Sequence, residues 1–533
     1  MPGILENARS TSGTALRLKD MSPLSGMCPI CIRDCPVLCE ISKSAFRGRE
    51  VLYPVPEAFG KSTAASNKDY GLDWSHFQIM VTALGAQGVE PDPDKAIFPE
   101  VDITTRVGGI PLKVPVMIAA LGSTAVAKNY WEGLAIGAAL SGIIQVIGEN
   151  VCGMDPEARF ENGKVVYSKD LEFRVNAFRK YWDGRHGDIA VQTNVEDQRF
   201  GVDLYAIREL EVNVIERKWG QGAKSIGGEV RIYDLDRALM LKRRGYIVIP
   251  DPEDEAVQEA FRKGVFDSFE RHSRVGMPDV DGFVEDVEWL RQQGAKKVFL
   301  KTGAYNPAVT AFTMKCASLA RIDVLTFDGA GGGTGMSPVP MMNESGTPTV
   351  YLLAQILECA KVLRERGKHV PDIVIAGGFV NETQILKAIA MSNLGDGHGP
   401  YVKAISMARA PLTAVMKADY FVELAQAGKL PAKFAQEYGD KPEKFFIATT
   451  ELRRKYGDEV GAGIPWPAVG LYSYFMDRIG VGLKQLLAGC RKWRLGLLSR
   501  DDIAALTERA SRVTGIPTID ELAAKSMRDI LDF

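Results

Sequence analysis

The sequence predicts an α/β chain built on a (β/α)8 TIM barrel, with a Cys-rich extension before it and a mostly helical extension after it. Three observations carry this prediction. Eight short apolar runs recur from about residue 110, each ends in a Gly-rich or polar loop, and helical patterns follow them. Continuous apolar strands alternating with helices form parallel sheets covered on both faces. Eight such strands fit a closed barrel; an open doubly wound sheet is the competing architecture.

The elements run as follows. Residues 1–75 read as an extension: a cysteine cluster, then loop sequence containing Pro, Ser and Lys. Within it, GKSTAASN (60–67) resembles the end of a phosphate-binding loop, but the first glycine of that motif would fall on Val55 and no apolar strand leads in. The barrel is placed at 76–415. Its strands are VPVMIAAL (114–121), GIIQVIG (142–148), DIAVQTN (188–194), VNVIERK (212–218), KVFLKTG (297–303), DVLTFDG (323–329), DIVIAGG (372–378) and AISMARA (404–410). The connection between the fourth and fifth is long and contains a charged, helix-like stretch, EDEAVQEAFRKGVFDSFERH. Loops of that length in a compact domain usually serve function. Residues 416–533 are helical in pattern and charged.

Composition excludes several classes. The chain has 533 residues, 65 basic against 67 acidic, and a net charge of −2. That balance argues against a nucleic-acid protein, which needs a basic face. No run reaches the roughly 18–20 apolar residues of a membrane-spanning helix. The N-terminus lacks the basic and apolar regions of a signal peptide. A cytoplasmic protein, forming a homo-oligomer, is expected.

Barrels bind ligands at the C-terminal ends of their strands. Here the first strand ends in Gly122-Ser123-Thr124, the second in Gly148-Glu149-Asn150 and the third in Gln192-Thr193-Asn194. The fourth leads to Gln221-Gly222-Ala223-Lys224, then Gly227-Gly228. Lys301 lies in an otherwise apolar fifth strand, so its ammonium should point into the barrel mouth, beside an anionic ring or a substrate carboxylate. The sixth ends in DGAGGGTG (328–335). This is no dinucleotide fingerprint, because Thr334 occupies the third glycine position. It reads instead as backbone lying against a flat ligand, with Asp328 as a cap or contact. Gly377 and Gly378 end the seventh strand, and Arg409 follows the eighth. Backbone N–H groups there can converge on a phosphate with a forked charge from Arg409.

His76, His186, His272, His369 and His398 are dispersed, without metal-ligand spacing, and read as surface or loop residues. No GxSxG elbow supports hydrolysis. Cys152, Cys316, Cys359 and Cys490 read as small buried apolar residues. Cys28, Cys31, Cys35 and Cys39 form a C-x2-C-x3-C-x3-C cluster. Four thiolates so close fit a [4Fe–4S] cluster, although the spacing differs from the bacterial ferredoxin run. Structural zinc, or reduced thiols without metal, are the alternatives.

Taken in order, QGAK with a following Gly-Gly pair, a strand ending in Lys, DG-x2-GGTG and an AGG strand end resemble the FMN-binding central domain of glutamate synthase. The resemblance covers roughly residues 110–412. It implies FMN held by Ser123, Gln192, Lys301, Gly332, Gly333, Thr334, Gly377, Gly378 and Arg409, with Gln221 and Lys224 on the substrate side beside Lys301. It implies reduction of an imino or oxo acid such as 2-iminoglutarate. Two features depart from the family. Its three cluster-ligating cysteines after the eighth strand are missing from ARAPLTAVMKADYF (408–421), so the N-terminal cysteines are candidates for a replacement cluster. No glutaminase domain is visible, so a separate glutaminase subunit is expected, together with an electron donor such as ferredoxin or a reductase subunit. A group-transfer enzyme or isomerase without net redox, and an electron-relay subunit, are the competing functions.

Overall fold

The computed structural model describes residues 31–35, 39–47, 69–220, 229–266, 268–332 and 345–532. Among the described residues, a short α-helix, α1 (Glu40–Arg47), precedes the barrel. It buries Phe46 among Phe421, Phe434, Phe445 and Phe446, with ring centroids 5.1–5.4 Å apart and edges meeting faces. Such pairs add about 0.5–1.5 kcal/mol each beyond simple burial.

All eight predicted strands form. They are β1 (Val116–Leu121), β2 (Ile144–Ile147), β3 (Ile189–Thr193), β4 (Val214–Lys218), β5 (Lys297–Gly303), β6 (Val324–Asp328), β7 (Asp372–Ala376) and β8 (Val402–Met407). They pair in parallel, in chain order, and β8 closes on β1. Strand side chains alternate between faces, so one parity of each strand fills the barrel. Met117, Ile144, Val146, Ala190, Val214, Phe299, Val324, Val374 and Ala404 form that inner core, together with Val107 and Leu112. The last two belong to a hairpin, Thr105–Val107 with Ile110–Leu112, packed against this core. The other parity packs against the surrounding helices. Two of these matter below: α2 (Lys169–Arg179) after β2, and α3 (Val195–Phe200) after β3.

The connection between β4 and β5 carries its own three-stranded antiparallel sheet. Its central strand, Phe269–His272, pairs with Glu229–Ile232 on one side and Ile247–Ile249 on the other. The charged stretch expected to be helical is therefore divided. Helix α4 (Leu235–Arg243) precedes it, and α5 (Glu255–Arg262) ends at a turn through Gly264; FERH is strand, not helix. Phe269, fully buried and alternating with Glu270, marks the period-two pattern that the helical reading overlooked.

Beyond β8, helix α6 (Arg409–Gln426) runs unbroken through residue 416. The rest of the C-terminal region is mostly helical, with one strand, Ile503–Ala505, paired antiparallel to Phe77–Ile79. No described helix is long and apolar enough to cross a membrane. Cys152, Cys316 and Cys490 are buried as expected, whereas Cys359 is only half-buried. His272 lies on the inserted sheet's central strand rather than in a loop.

Candidate active site at the barrel mouth

Moving two residues along each strand from the inner apolar layer reaches the mouth. There the inward positions change character: Gln192 follows Ala190, Glu216 follows Val214, Lys301 follows Phe299, Thr326 follows Val324, and Ser406 follows Ala404. All five are buried. Lys301 Nζ lies 3.2 Å from Asp328 Oδ2. Gln192 Nε2 donates to Glu216 Oε1 at 2.6 Å. Lys218, at the end of β4, forms an ion pair with Glu149 at the end of β2.

These charges set one another's protonation. Burial alone would raise the Glu149 carboxyl, but the Lys218 ammonium overrides it and holds Glu149 below the usual carboxylate range. For Lys301, burial opposes the charged form, and Asp328 with Glu216 outweighs it, so the ammonium is retained. Glu216 is pushed up, first by burial. The mouth thus holds a fixed cation, a fixed anion and a more easily protonated acid within one set of neighbouring strand ends.

The glycine-rich ends lie beside this set. Gly377 and Gly378 have φ of +112° and +94°. A Cβ on Gly377 would stand 2.5 Å from Gly329 O and 2.6 Å from Thr349 Oγ1. Thr349 Oγ1 donates to Gly377 O at 2.8 Å, and Tyr474 Oη donates to Val380 O at 2.7 Å, so the turn is held from both sides. Gly332 is brought against it: a Cβ there would meet Gly377 Cα at 3.0 Å. Arg409 is the first residue of α6, whose N-terminus faces this end of the barrel. Ser123 is half-buried on the loop after β1. That loop is tied down by the buried Arg174 of α2, which donates to Leu121 O at 3.1 Å and Gly122 O at 3.0 Å.

Several polar atoms here are buried without a hydrogen-bond partner among the described residues: Gln192 Oε1, Thr326 Oγ1 and Ser406 Oγ. Leaving such atoms bare costs about 1–3 kcal/mol each. They and the glycine cradle fit a flat polar ligand, such as the isoalloxazine and phosphate of FMN. Gln221, Lys224, Gly333, Thr334 and Cys28 lie outside the described residues, as does GKSTAASN.

Sequence reasoning missed four residues of this set. Glu149, Glu216 and Lys218 carry the same signal as Lys301, a charge at a strand's buried end. Arg271 has no such local signal. It sits on the inserted sheet's central strand, 1% exposed, with its guanidinium 5.0 Å from the Tyr246 ring and Nη1 donating to Ser273 Oγ at 2.6 Å. Its Nε has no partner among the described residues, and no described carboxylate forms an ion pair with it. Glu149 is close enough to influence its charge.

Behind Glu149, Asn150 donates its backbone N–H to both oxygens of Asp197, at 3.1 and 2.9 Å. Burial pushes Asp197 up to about 7 from an ordinary 3.8. A carboxyl raised by folding stabilises the fold fully below its unfolded value and loses that contribution as pH rises through its folded value. An Asp197→Asn variant should therefore lose stability relative to wild type at pH 4, and the gap should shrink towards pH 7. Melting temperatures of the two proteins across that range test it; a constant gap would contradict the assignment.

Of the N-terminal cysteines, Cys31 and Cys35 lie beside α6. Cys31 Sγ is 3.5 Å from Thr413 Oγ1, and Lys417 Nζ donates to Ile32 O, Arg33 O and Cys35 O at 3.2, 3.2 and 2.7 Å. Cys39 Sγ contacts Ser42 Oγ at 3.3 Å and is near enough to Cys31 to add to the burial that raises its thiol. Arg409, Thr413 and Lys417 are spaced by four, on one face of α6. Among the described residues, no three metal-ligating side chains converge on one point.

Residues 269–396 match the family described as the conserved region in glutamate synthase. That stretch contains Arg271, Lys301, Asp328, Gly377 and Gly378. The chain is 24% identical over 417 residues to a "glutamate synthase large subunit-like protein" of Rhizobium meliloti (strain 1021), covering 76% of this chain and 78% of that one. It is 26% identical over 351 residues to an "archaeal glutamate synthase [NADPH]" of Archaeoglobus fulgidus, covering 62% of this chain and 59% of the relative's length. The recombinant flavin-binding domain of baker's yeast flavocytochrome b2 overlays with a TM-score of 0.45 at 14% identity, covering 85% of this chain and 81% of that chain. The chain is therefore similar to glutamate synthase-like proteins over most of its length, and residues 269–396 resemble the region conserved in glutamate synthase.

Proposed function

We propose that this chain is an FMN-dependent oxidoreductase that reduces an imino or oxo acid such as 2-iminoglutarate. One observation carries the reading: a buried Lys301, a Glu149–Lys218 pair and a buried Arg271 whose Nε has no partner among the described residues accompany a mouth in which Gln192 Oε1, Thr326 Oγ1 and Ser406 Oγ are also bare. Bound FMN supplies two-electron hydride chemistry. Gly377, Gly378 and Arg409 would hold its phosphate, Gly332 would let backbone approach the ring, and Ser123, Gln192, Gly333 and Thr334 would complete the cradle. Lys301 would stabilise negative charge on the ring, and Asp328 would hold Lys301 in place. Arg271 would take a substrate carboxylate, since a guanidinium matches a carboxylate bidentately. Gln221 and Lys224 would close the substrate side. Reduction of a C=N bond needs two electrons and two protons; Glu216, whose carboxyl is pushed up by burial, would be the proton donor.

A second proposal concerns electron supply. Cys28, Cys31, Cys35 and Cys39 would ligate an iron–sulfur cluster of the [4Fe–4S] type, beside the face of α6 that begins at Arg409. Its support is the cysteine spacing and the placement of Cys31 beside Thr413. An external electron donor and a separate ammonia-producing subunit would complete the system.

Anaerobic purification with an absorbance spectrum and quantitation of FMN, iron and zinc tests both proposals. About one FMN per chain is expected, with iron and no stoichiometric zinc. The Cys31→Ser variant should lose iron and keep FMN. Absence of flavin overturns the enzyme reading, and iron unchanged in the variant overturns the cluster.

A further inference from the structure

The insertion between β4 and β5 is fastened to the barrel at three places around Arg271. Arg244, just after α4, donates to Gly153 O and Asp155 O at 2.8 and 2.7 Å. Arg274 reaches both oxygens of the buried Glu196 on α3, at 3.0 and 3.1 Å, and its backbone N–H donates to the same carboxylate at 2.8 Å. Between them, Tyr246 Oη donates to Asn150 Oδ1 at 3.1 Å. Room for that phenol exists because residue 153 is glycine: a Cβ there would lie 1.8 Å from Tyr246 Oη.

Tyr246 therefore touches two things at once. Its ring carries the Arg271 guanidinium, and its hydroxyl is bonded to the residue that follows Glu149 in the chain. Ser273, which binds Arg271 Nη1, also reaches Asn150 Oδ1, at 3.4 Å. Asn150 itself is held in the left-handed region, φ +65°, by its N–H bonds to Asp197. Ring stacking fixes the guanidinium plane, and the hydroxyl fixes the ring relative to the end of β2.

We propose that Tyr246 is a positioning residue: it sets the distance between the carboxylate-binding Arg271 and the Glu149–Lys218 pair, so that the insertion selects which carboxylate-bearing substrates reach the mouth in register. This deepens the oxidoreductase reading and rests on its assignment of Arg271.

The test uses the full-length flavoprotein, titrated with 2-oxoglutarate while the visible flavin spectrum is followed. Wild type should show a saturable perturbation, and Arg271→Gln should lose it. Tyr246→Phe keeps the ring and loses the hydroxyl; it should weaken 2-oxoglutarate binding about 3- to 10-fold, the worth of one neutral hydrogen bond. Its KM for the oxo or imino acid should rise by the same factor while kcat and flavin content stay near wild type. Tyr246→Leu, which also removes the cation–ring contact, should weaken binding further. A wild-type protein that binds flavin but does not respond, or a response that survives in Arg271→Gln, overturns the Arg271 assignment and this inference with it. A normal wild-type response that is unchanged in Tyr246→Phe and Tyr246→Leu overturns the positioning role alone.

Discussion

Replacing Lys301 by methionine is expected to lower kcat/KM for imino- or oxo-acid reduction by about 100- to 1,000-fold, the usual effect of deleting one group that stabilises developing charge in a water-excluded site. The substitution keeps an unbranched apolar stem and removes the ammonium, with its charge and its donors. It also leaves the half-buried Asp328 and the buried Glu216 beside a methyl group. Removing one partner of a buried pair typically costs about 3–5 kcal/mol, because the remaining charge has no compensation. The melting temperature should fall accordingly. A double variant, Lys301→Met with Asp328→Asn, separates the two effects: stability should recover in large part, while the rate should not. A single variant that turns over like wild type would remove Lys301 from the chemistry.

Alanine at Gly377 is expected to abolish FMN loading and to destabilise the barrel by about 2–5 kcal/mol. The first part of the cost is conformational, about 1–2 kcal/mol for a non-glycine residue held at positive φ. The second is steric: the added methyl would press on Gly329 O and Thr349 Oγ1, and both are backed by buried structure. Gly395 is the control. Its φ is +72°, but nothing stands within 4 Å of an added Cβ. Gly395→Ala should lose only the conformational part and should bind FMN normally. Apoprotein titrated with FMN, together with thermal melts, measures both quantities. Equal behaviour of the two variants would show that backbone strain, not the cradle's shape, dominates at Gly377.

Much of this was legible before the fold. Eight apolar runs became eight strands, because a strand buried on both faces must be apolar along its whole length. Lys301 was legible for the converse reason, as a charge interrupting such a run. Glu216 and Lys218 interrupt β4 in the same way, and strand parity alone places them with Lys301 inside the barrel. Arg271 was not legible. Its strand, FERH, alternates buried and half-buried positions over only four residues but has a single apolar side chain, and the charged α5 lies just before it. Which way its guanidinium points is decided by Tyr246, twenty-five residues away in the chain. The location of the cysteines was equally hidden: Cys31 meets Thr413 across 382 positions, a contact no local pattern encodes.

The pairing of Phe77–Ile79 with Ile503–Ala505 has a consequence for how the chain reaches this state. A ribosome releases the first of these strands more than four hundred residues before the second. Until then Phe77 and the neighbouring Trp74, both buried in the finished protein, lack part of their cover. Closing so long a loop costs entropy that is recovered only at the last step, and contacts of such sequence separation slow folding. The barrel's own strands are all made by residue 407, but the strand at 77–79 stays without its partner until residues 503–505 follow. A protein shortened before residue 503 is expected to leave Phe77 without that cover.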